Sequence, residues 1–521
     1  MNIINNKKIL ISGLIIGILI TVAFGIWYYY RGVILMDLLE RKLKRNKSLE
    51  LTSQPQQSKQ VSLVQKSKSQ ISQDSPFGMH PAHTRPFTQY TEALDMGVKW
   101  HRPLMYMFWS TVQKDLNSDK LDFSIYDNEY FGAVPSEINI LGNIAPANPM
   151  NLTGKSYLSA SSYLPTNEVK YLKFVRAGVE RYDGDGIDDM PNLKNPILYW
   201  QVGNEPNSRG PLKDFAQLQK ITYSAVKEAC SQCKVLVGGA SQPIDNLGVK
   251  TLGFVSNDRD YLYEFSRSYE PYLAELNGEG FDIFDFHWYG KAKDDYALIK
   301  PTYLNLKNTL GKYGFGNVLV WITEMGAYSG QPAEKSSKGE KLYPFQTESE
   351  QAGDYLKRFV FSLSLGIEKI FPAFGLLEGF KNNDGYFDHT GFIYDGKGSN
   401  DLGYGVKKLS YYTYKKMTEI LEGSDWNNIQ KIQESGGVYI YKFIKNGKSI
   451  WVAWNDNGAS KTITISGITS SQVKITEAVP KYESGKEITN YNIAFNTETK
   501  NALNNKISIT LKDKPVFAEE R

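Results

Sequence analysis

Short apolar segments alternate with amphipathic helical windows from residue 75 to residue 424, and this alternation constrains the fold of the 521-residue chain most. Eight of the segments are strand-like: 77–80, 98–103, 138–145, 197–203, 235–240, 281–288, 318–323 and 370–374. The clearest helical window repeats apolar residues at the spacing of one helix face, namely Ala352, Tyr355, Leu356, Phe359, Val360 and Leu363.

Eight strand–helix repeats predict an α/β protein whose parallel strands close into a (β/α)8 barrel, the TIM barrel, over residues 75–424. An open doubly wound sheet is the alternative. It would favour a Gly-rich phosphate turn after an early strand, and the sequence has none. We therefore expect the closed barrel.

The helical period disappears after about residue 425. Strand-like runs at 438–444 and 449–454 flank Asn446-Gly447, a dipeptide typical of a β-hairpin turn. Further short β runs follow at 461–465, 472–475 and 506–511. Residues 425–521 are predicted to form a C-terminal β-sandwich domain that accompanies the barrel.

Residues 9–30 carry no charged side chain. A helix of this length spans about 33 Å, which is enough to cross a bilayer core. Trp27 and three tyrosines close the segment, where an aromatic belt is expected. We predict a transmembrane helix at 9–30 after a short tail at 1–8. A cleaved signal peptide is the alternative, because Ala23 and Gly25 are small residues two positions apart.

Residues 31–74 combine a basic juxtamembrane segment with a linker, in which 13 of the 21 residues at 53–73 are Ser or Gln. Such a linker cannot bury enough apolar surface to fold and should act as a tether. We expect a single-pass membrane protein with its body outside the cytoplasm, or a secreted protein if the N-terminus is cleaved. The basic segment conflicts with that orientation under the positive-inside rule.

The net charge of +4 arises in the N-terminal segment. Residues 1–75 contain 11 basic and four acidic side chains, whereas residues 76–521 contain 49 and 52. The body is therefore slightly acidic, which argues against nucleic acid as a partner.

In a (β/α)8 barrel the functional groups stand at the C-terminal ends of the strands. Several predicted strands end in polar residues that would share one mouth: Arg102, Asn204, Glu205, His287, Tyr289 and Glu324. His80 and Asn143 also end strands and fit a structural role as well as a site role. Two carboxylates on one rim suit cleavage of a glycosidic bond, with retention at a separation of about 5–5.5 Å and inversion at about 6.5–9.5 Å.

Two motifs carry a family resemblance. Asn204-Glu205-Pro206 and Ile322-Thr323-Glu324, each at a strand end, resemble the clan A retaining glycoside hydrolases, whose catalytic glutamates lie on strands four and seven. The segments at 77–80 and 93–102 resemble the first barrel unit of that clan. The trailing β domain resembles the accessory sandwich of family 39, and both a family 39-like and a family 5-like assignment remain open.

The resemblance implies a hydrolase that acts on a carbohydrate substrate without a metal or another cofactor. Glu205 would be the acid/base, which protonates the leaving group and later activates water. Glu324 would be the nucleophile that forms the glycosyl-enzyme. Asn204 would hydrogen-bond the 2-hydroxyl group of the sugar, a contact that strengthens in the transition state.

The resemblance also implies supporting residues. Tyr289 would hold Glu324 ionised and oriented, His287 would line the sugar subsite, and Arg102 would help to keep Glu324 charged. The eighth strand of such enzymes often supplies a Trp beneath the sugar, but the stretch at 370–379 contains none. Candidates for that contact are Phe374, Trp109 and Trp288.

Two further motifs leave alternatives open. The spaced carboxylates at 183–189 fit a structural calcium loop in part but lack the twelfth-position Glu of an EF-hand, so a solvated acidic turn is favoured. Cys230 and Cys233 form a C-x-x-C motif without obvious further zinc ligands, and a local disulfide and two free thiols are equally compatible with it.

Two other classes of function compete with the glycosidase. One is a catalytically inactive carbohydrate-binding protein on the same barrel, and the other is a cell-envelope scaffold in which the anchor and the sandwich matter most. The presence of both glutamates argues against the first. Large exposed apolar patches on the sandwich would favour the second.

Overall fold

The structure is a computed structural model that describes residues 74–84, 88–147, 164–165, 167–206, 211–241, 269–290, 295–335 and 339–521. The segments predicted at 1–8 and 9–30, including the transmembrane helix, lie outside these residues, as does all but the last residue of the segment predicted at 31–74. Within the described part of the chain, no helix is both long enough and apolar enough to span a membrane.

One parallel sheet forms the barrel. Its strands are β1 (Gly78–Met79), β2 (Trp100–His101), β3 (Met107–Phe108), β4 (Asn139–Ala145), β5 (Tyr199–Val202), β6 (Lys234–Leu236), β7 (Ile283–Tyr289), β8 (Leu319–Gly326) and β9 (Ile367–Pro372). They follow the order β1-β2-β4-β5-β6-β7-β8-β9, and the short β3 pairs with β4. The ends of this order meet through parallel bridges from Phe77 to Ile370 and from His80 to Ala373. Each predicted strand segment overlaps one of these eight strands, so the predicted (β/α)8 barrel is confirmed.

The helices between the strands bury their apolar faces against the sheet. They are α1 (Thr91–Asp95), α2 (Trp109–Val112), α3 (Glu168–Glu180), α4 (Leu212–Ala229), α5 (Ile299–Lys312), α6 (Glu348–Ser364) and α7 (Leu409–Leu421). The predicted window at 352–363 lies within α6. This helix begins with a capping box in which Thr347 and Glu350 satisfy each other's backbone amides.

The barrel interior changes from apolar to polar along its axis. Its N-terminal half is filled by large apolar side chains: Trp100, Leu141, Leu236, Ile283, Trp321 and Phe371. Lys369 closes this end, with its Nζ 5.4 and 5.5 Å from the ring centroids of Trp100 and Trp321. Burial lowers the pKa of Lys369 to about 8. A packed lower half leaves the C-terminal mouth as the end that a ligand can enter.

The C-terminal residues form an antiparallel β domain. Its strands are β10 (Gln430–Ser435), β11 (Val438–Lys445), β12 (Lys448–Asn455), β13 (Lys461–Ser466), β14 (Gln472–Glu477), β15 (Thr497–Asn501), β16 (Lys506–Leu511) and β17 (Val516–Glu520). Six of them form one sheet, and β13 and β16 form a second, which shares an apolar core with it. Asn446 and Gly447 join β11 to β12 with φ of 52° and 76°, as a tight hairpin turn requires. The predicted sandwich-like accessory domain is confirmed.

The β domain shares its packing with the barrel. Trp454 of β12 donates its indole N–H to the Tyr296 hydroxyl at 2.8 Å, and its ring stacks on that of Tyr439. Lys357 of α6 binds Asp456 at 2.6 Å across the same boundary. Alternate residues of β12 thus face the barrel, and the two parts are joined by a continuous core.

Cys230 follows α4 and Cys233 precedes β6, and a disulfide joins them. Both residues are buried. The sequence left a disulfide and two free thiols equally compatible, and the structure contains the disulfide.

Candidate active site

Glu205 enters the mouth just after β5. Its φ of 48° is a left-handed conformation that is costly for a residue with a Cβ. The amide of Glu205 donates to the Gly238 carbonyl at 2.8 Å, which helps to hold that conformation. The side chain is 17% exposed, and its Oε1 lies 3.0 Å from Nδ1 of His287. Glu205 therefore faces both the barrel interior and solvent.

Glu324 reaches the interior because β8 contains a β-bulge. The pairing with β7 joins Phe286 to Ile322 and then His287 to Glu324, so that Thr323 is skipped. In a regular strand, alternation would direct Thr323 inward and Glu324 toward the helices. The extra residue shifts the alternation by one, and both side chains bond with groups inside the barrel.

Donors surround both oxygens of the buried Glu324 carboxylate. Its Oε1 accepts from Nη1 of Arg102 at 2.7 Å, and its Oε2 accepts from the Tyr289 hydroxyl. Burial and the neighbouring Glu324 raise the pKa of Tyr289 well above its usual value, so the phenol keeps the proton that it donates. His80 Nε2 lies 3.6 Å from Oε1, and burial and Arg102 lower the pKa of His80 well below its usual value.

The two carboxylates lie close together, with His287 between them. One oxygen of Glu205, one oxygen of Glu324 and a ring nitrogen of His287 all lie within 4.8 Å of one another. Nδ1 of His287 is 3.0 Å from Glu205 Oε1 and 3.4 Å from Glu324 Oε2. Such a donor set can ligate a metal ion. Here the guanidinium of Arg102 already supplies the cation at Glu324, which disfavours a second one beside it.

Arg102 connects the second strand of the barrel to both motifs. Its Nη1 donates to Glu324, its Nη2 to Asn204 Oδ1 at 2.9 Å, and its Nε to Gln201 Oε1 at 2.7 Å. Burial opposes the charge of Arg102, but Tyr106 and Glu324 outweigh that effect and raise its pKa. Arg102 thereby fixes which atom of the Asn204 amide is the acceptor, so the NH2 group is oriented away from it.

A polar layer lies beneath the carboxylates, and of its side chains the sequence had indicated Asn143 but not Gln201 or Asp285. Gln201 Nε2 and the Thr323 hydroxyl both donate to Asp285 Oδ2, and Asn143 Nδ2 donates to Gln201 Oε1 at 2.7 Å. The other oxygen of Asp285 accepts from two backbone amides after β6. The signal that would have found Asp285 is alternation, because it precedes His287 by two residues in the same strand.

The lowered pKa of His83 at the barrel mouth should make the folded protein less stable in acid. Burial lowers the pKa of His83 to about 4. In the unfolded chain the His83 imidazole takes up a proton below about pH 6.5, whereas in the folded chain it does so only below about pH 4. Acidification therefore favours unfolding. The free energy of unfolding should fall by roughly 3 kcal/mol between pH 7 and pH 4 because of His83. Denaturant titrations of His83→Gln should show a correspondingly flatter pH dependence, and an unchanged slope would contradict the assignment.

Two of the predicted substrate contacts are wrong. Trp109 lies in α2 with no exposed surface, its indole N–H donates to Gln113, and its ring packs against Tyr171. Trp288 lies between His287 and Tyr289 in β7, so alternation turns it away from the interior and into the core that faces the helices. Neither ring has a face that a sugar could contact.

Phe374 follows β9 and is partly exposed. Its ring centroid is 5.5 Å from that of His80 and 6.3 Å from that of Tyr289. The ring of Phe380 covers it in a nearly parallel stack at 3.8 Å. Phe374 therefore borders the site, but one of its faces is already occupied.

The acidic turn at 183–189 brings oxygens of Asp183, Asp185 and Asp189 within 4.8 Å of one another. Asp189 accepts hydrogen bonds from the amides of Gly184 and Gly186. These are the bonds of an acidic turn, and the calcium alternative remains a prediction.

The chain is a (β/α)8 barrel with an appended antiparallel β domain, and two glutamates lie at the mouth of the barrel. In particular, the chain is similar to a family 39 glycoside hydrolase from Bacteroides cellulosilyticus, at 15% identity and a TM-score of 0.56 over 86% of this chain and 81% of that chain. A glucosidase from Croceicoccus marinus has 13% identity and a TM-score of 0.56, over 86% and 96% of the two chains.

An α-L-arabinofuranosidase from Thermotoga maritima has 12% identity and a TM-score of 0.52, over 87% and 97% of the two chains. At such identities the similarity establishes a common fold. No protein-family model matches the sequence, and no curated protein matches it significantly. The expected (β/α)8 barrel with a β-sandwich-like domain is confirmed.

Proposed function

We propose that this chain is a retaining glycoside hydrolase that cleaves O-glycosidic bonds of oligosaccharides or polysaccharides. The observation that carries the proposal is the spacing of Glu205 and Glu324, whose nearest oxygens lie within 4.8 Å. This spacing fits the retaining separation of about 5–5.5 Å better than the inverting one of about 6.5–9.5 Å. At this spacing no room remains for a water molecule between Glu324 and the anomeric carbon of a bound sugar, which an inverting mechanism would require.

In the first step, a carboxylate oxygen of Glu324 attacks the anomeric carbon while Glu205 donates its proton to the departing glycosidic oxygen. The carbon–oxygen bond to the leaving group breaks, and an ester between the sugar and Glu324 forms. Arg102 and Tyr289 hold Glu324 at a fixed orientation during the attack. Asn204, oriented by Arg102, is placed to bind the sugar 2-hydroxyl.

In the second step, Glu205 acts as a base. It takes a proton from a water molecule, which attacks the anomeric carbon and releases Glu324 as a carboxylate. The partial exposure of Glu205 supports this role, because the acid/base must meet water whereas the nucleophile must not. His287 lies 3.0 Å from Glu205 and 3.4 Å from Glu324 and helps to hold the two carboxylates in position.

The alternatives are a catalytically inactive carbohydrate-binding protein and a cell-envelope scaffold. Burying the ion pair of Arg102 and Glu324 costs desolvation free energy. A hydrolase needs this pair to orient its nucleophile, whereas a binding protein does not. A scaffold has no need of the pair either, so we rank the binding protein and the scaffold below the hydrolase.

The experiment that tests the proposal is hydrolysis of 4-nitrophenyl glycosides of glucose, xylose and arabinose, together with polysaccharides, by the full chain. Proton NMR of the first sugar released should show the anomeric configuration of the substrate. Release of the opposite anomer would contradict a retaining mechanism. Sugar binding without turnover across the panel would favour the binding protein.

We also propose that the body works outside the cytoplasm, tethered by the predicted helix at 9–30. The Cys230–Cys233 disulfide supports this location, because disulfides persist in oxidising compartments. Protease added to intact cells should degrade the body, and protection from protease until the cells are lysed would contradict the orientation.

Gly239 is expected to be essential for positioning His287. A Cβ at Gly239 would lie 2.0 Å from Nε2 of His287, and its φ of 69° also disfavours a side chain. Gly239→Ala should lower kcat/KM by about 10- to 100-fold, because a 1 Å displacement near the carboxylates has an effect of this size. Gly423→Ala is the matched control, since Gly423 has φ of 81° with nothing within 4 Å of the added Cβ. Equal activity losses in both variants would contradict a role of Gly239 in positioning His287.

A further inference from the structure

A cavity of about 210 Å³ opens at the barrel mouth beside the candidate active site. It lies between the loops that follow β1, β2 and β9. Five of its lining side chains are apolar: Pro81, Leu104, Phe374, Leu377 and Phe380. The carboxylate chemistry described above uses none of these residues.

The cavity is adjacent to Glu324 and lies across the mouth from Glu205. Phe374 in its wall contacts His80 and Tyr289, and both of these residues contact Glu324. Glu205, by contrast, follows β5, which is separated from the β9–β1–β2 side by β4. Because Glu205 protonates the leaving group, that group must lie on the β5 side. The cavity then receives the part of the substrate that stays bound to the anomeric carbon.

The described residues that line the cavity present no uncompensated charge. Glu378 forms a buried ion pair with Nζ of Lys408, which also donates to the Ser329 hydroxyl at 2.8 Å. His83 is neutral at physiological pH because burial lowers its pKa to about 4. An apolar wall with neutralised polar groups favours an uncharged ligand over an acidic sugar.

Phe380 is the more exposed of the two phenylalanines that line this cavity. It stacks on Phe374 with the ring planes 4° apart, and it remains 39% exposed. The C–H groups on one face of a pyranose carry partial positive charge and are attracted to the negative face of an aromatic ring. Phe374 thus supports Phe380, and Phe380 presents the outer ring of the pair.

Building on the proposed function, we propose that this cavity binds a second, uncharged sugar unit on the non-reducing side of the cleaved bond. Phe380 is the residue that determines this preference. The chain would consequently act best on glycosides that keep at least two sugar units on that side, rather than on single terminal sugars.

The test compares 4-nitrophenyl glycosides of xylose and glucose with those of xylobiose and cellobiose, so that the leaving group stays constant. The full chain should cleave the preferred disaccharide at least tenfold more efficiently in kcat/KM than its monosaccharide. Phe380→Ala should reduce this ratio to near one by lowering activity on the disaccharide, and Phe380→Trp should retain it. Phe345→Ala is the control, because Phe345 is 55% exposed and does not line the cavity.

An unchanged ratio in Phe380→Ala, or an equal loss on both substrates, would overturn the subsite, since the second result indicates only a structural role. A preference for the monosaccharide would overturn it as well. Calorimetric titration with free xylobiose and cellobiose separates this inference from the proposed function. Binding of a disaccharide that depends on Phe380 in a chain without hydrolytic activity would contradict the hydrolase and leave the subsite standing.

Discussion

Replacing Glu324 with alanine should lower kcat for an activated aryl glycoside by roughly 10⁴- to 10⁶-fold. The side chain is the proposed nucleophile, and Glu205 cannot replace it because Glu205 must act as the acid. The loss should appear in kcat and kcat/KM alike, because the bond between Glu324 and the anomeric carbon begins to form only in the transition state and is absent from the bound substrate.

Azide should restore part of the activity of Glu324→Ala. Removal of the carboxylate leaves the fully buried Arg102 guanidinium without its ion-pair partner and opens a space beside it. A small anion fits both the charge and the space, and attack from that side should give a glycosyl azide of inverted configuration. Product configuration by NMR is the decisive measurement.

Glu324→Gln is the matched control. It preserves the shape of the side chain, so it should be equally inactive, but it leaves no space for azide and should not be rescued. Circular dichroism of both variants checks that the unpaired Arg102 has not unfolded the barrel. Retention of a tenth or more of wild-type activity by Glu324→Ala would rule out Glu324 as the nucleophile.

The positions of the site strands could be predicted from the sequence because parallel strands place their C-terminal residues at one mouth. The roles of neighbouring residues could have been read from alternation. Side chains alternate between the two faces of β7. Asp285, His287 and Tyr289 lie on the face toward the barrel interior, whereas Trp288 lies on the face toward the helices. The prediction for Trp288 was wrong because it relied on the position of Trp288 at the strand end and ignored which face of the strand its side chain occupies.

Other features of the site could not be predicted from the sequence. Alternation alone would turn Glu324 away from the barrel, and only the bulge at Thr323 brings it inside. The spacing of the two carboxylates depends on that bulge and on the left-handed backbone of Glu205. The stack of Phe380 on Phe374 joins two residues of an irregular loop, for which no sequence period exists.

Replacing Glu205 with glutamine should have an effect that depends on the leaving group. For a poor leaving group such as another sugar, kcat/KM should fall by about 10²- to 10⁴-fold, the usual contribution of general acid catalysis. For 2,4-dinitrophenolate, which departs without a proton, kcat/KM should change little. The measurement is a series of aryl glycosides with leaving groups of graded pKa, and the variant should show a much steeper dependence than the wild type.

The same variant should also be slow in the second step, because no base remains to activate water. With the activated substrate it should release a burst of phenol and then stall as the glycosyl-enzyme. Azide needs no base and can enter the space that the leaving group vacates, so it should accelerate turnover and give a glycosyl azide of retained configuration, opposite to that expected for Glu324→Ala. Because the two variants share one substrate and one nucleophile, the configuration alone assigns the roles. Inverted azide from Glu205→Gln would reverse the assignment of acid and nucleophile, and equal losses for all leaving groups would show that Glu205 does not donate the proton.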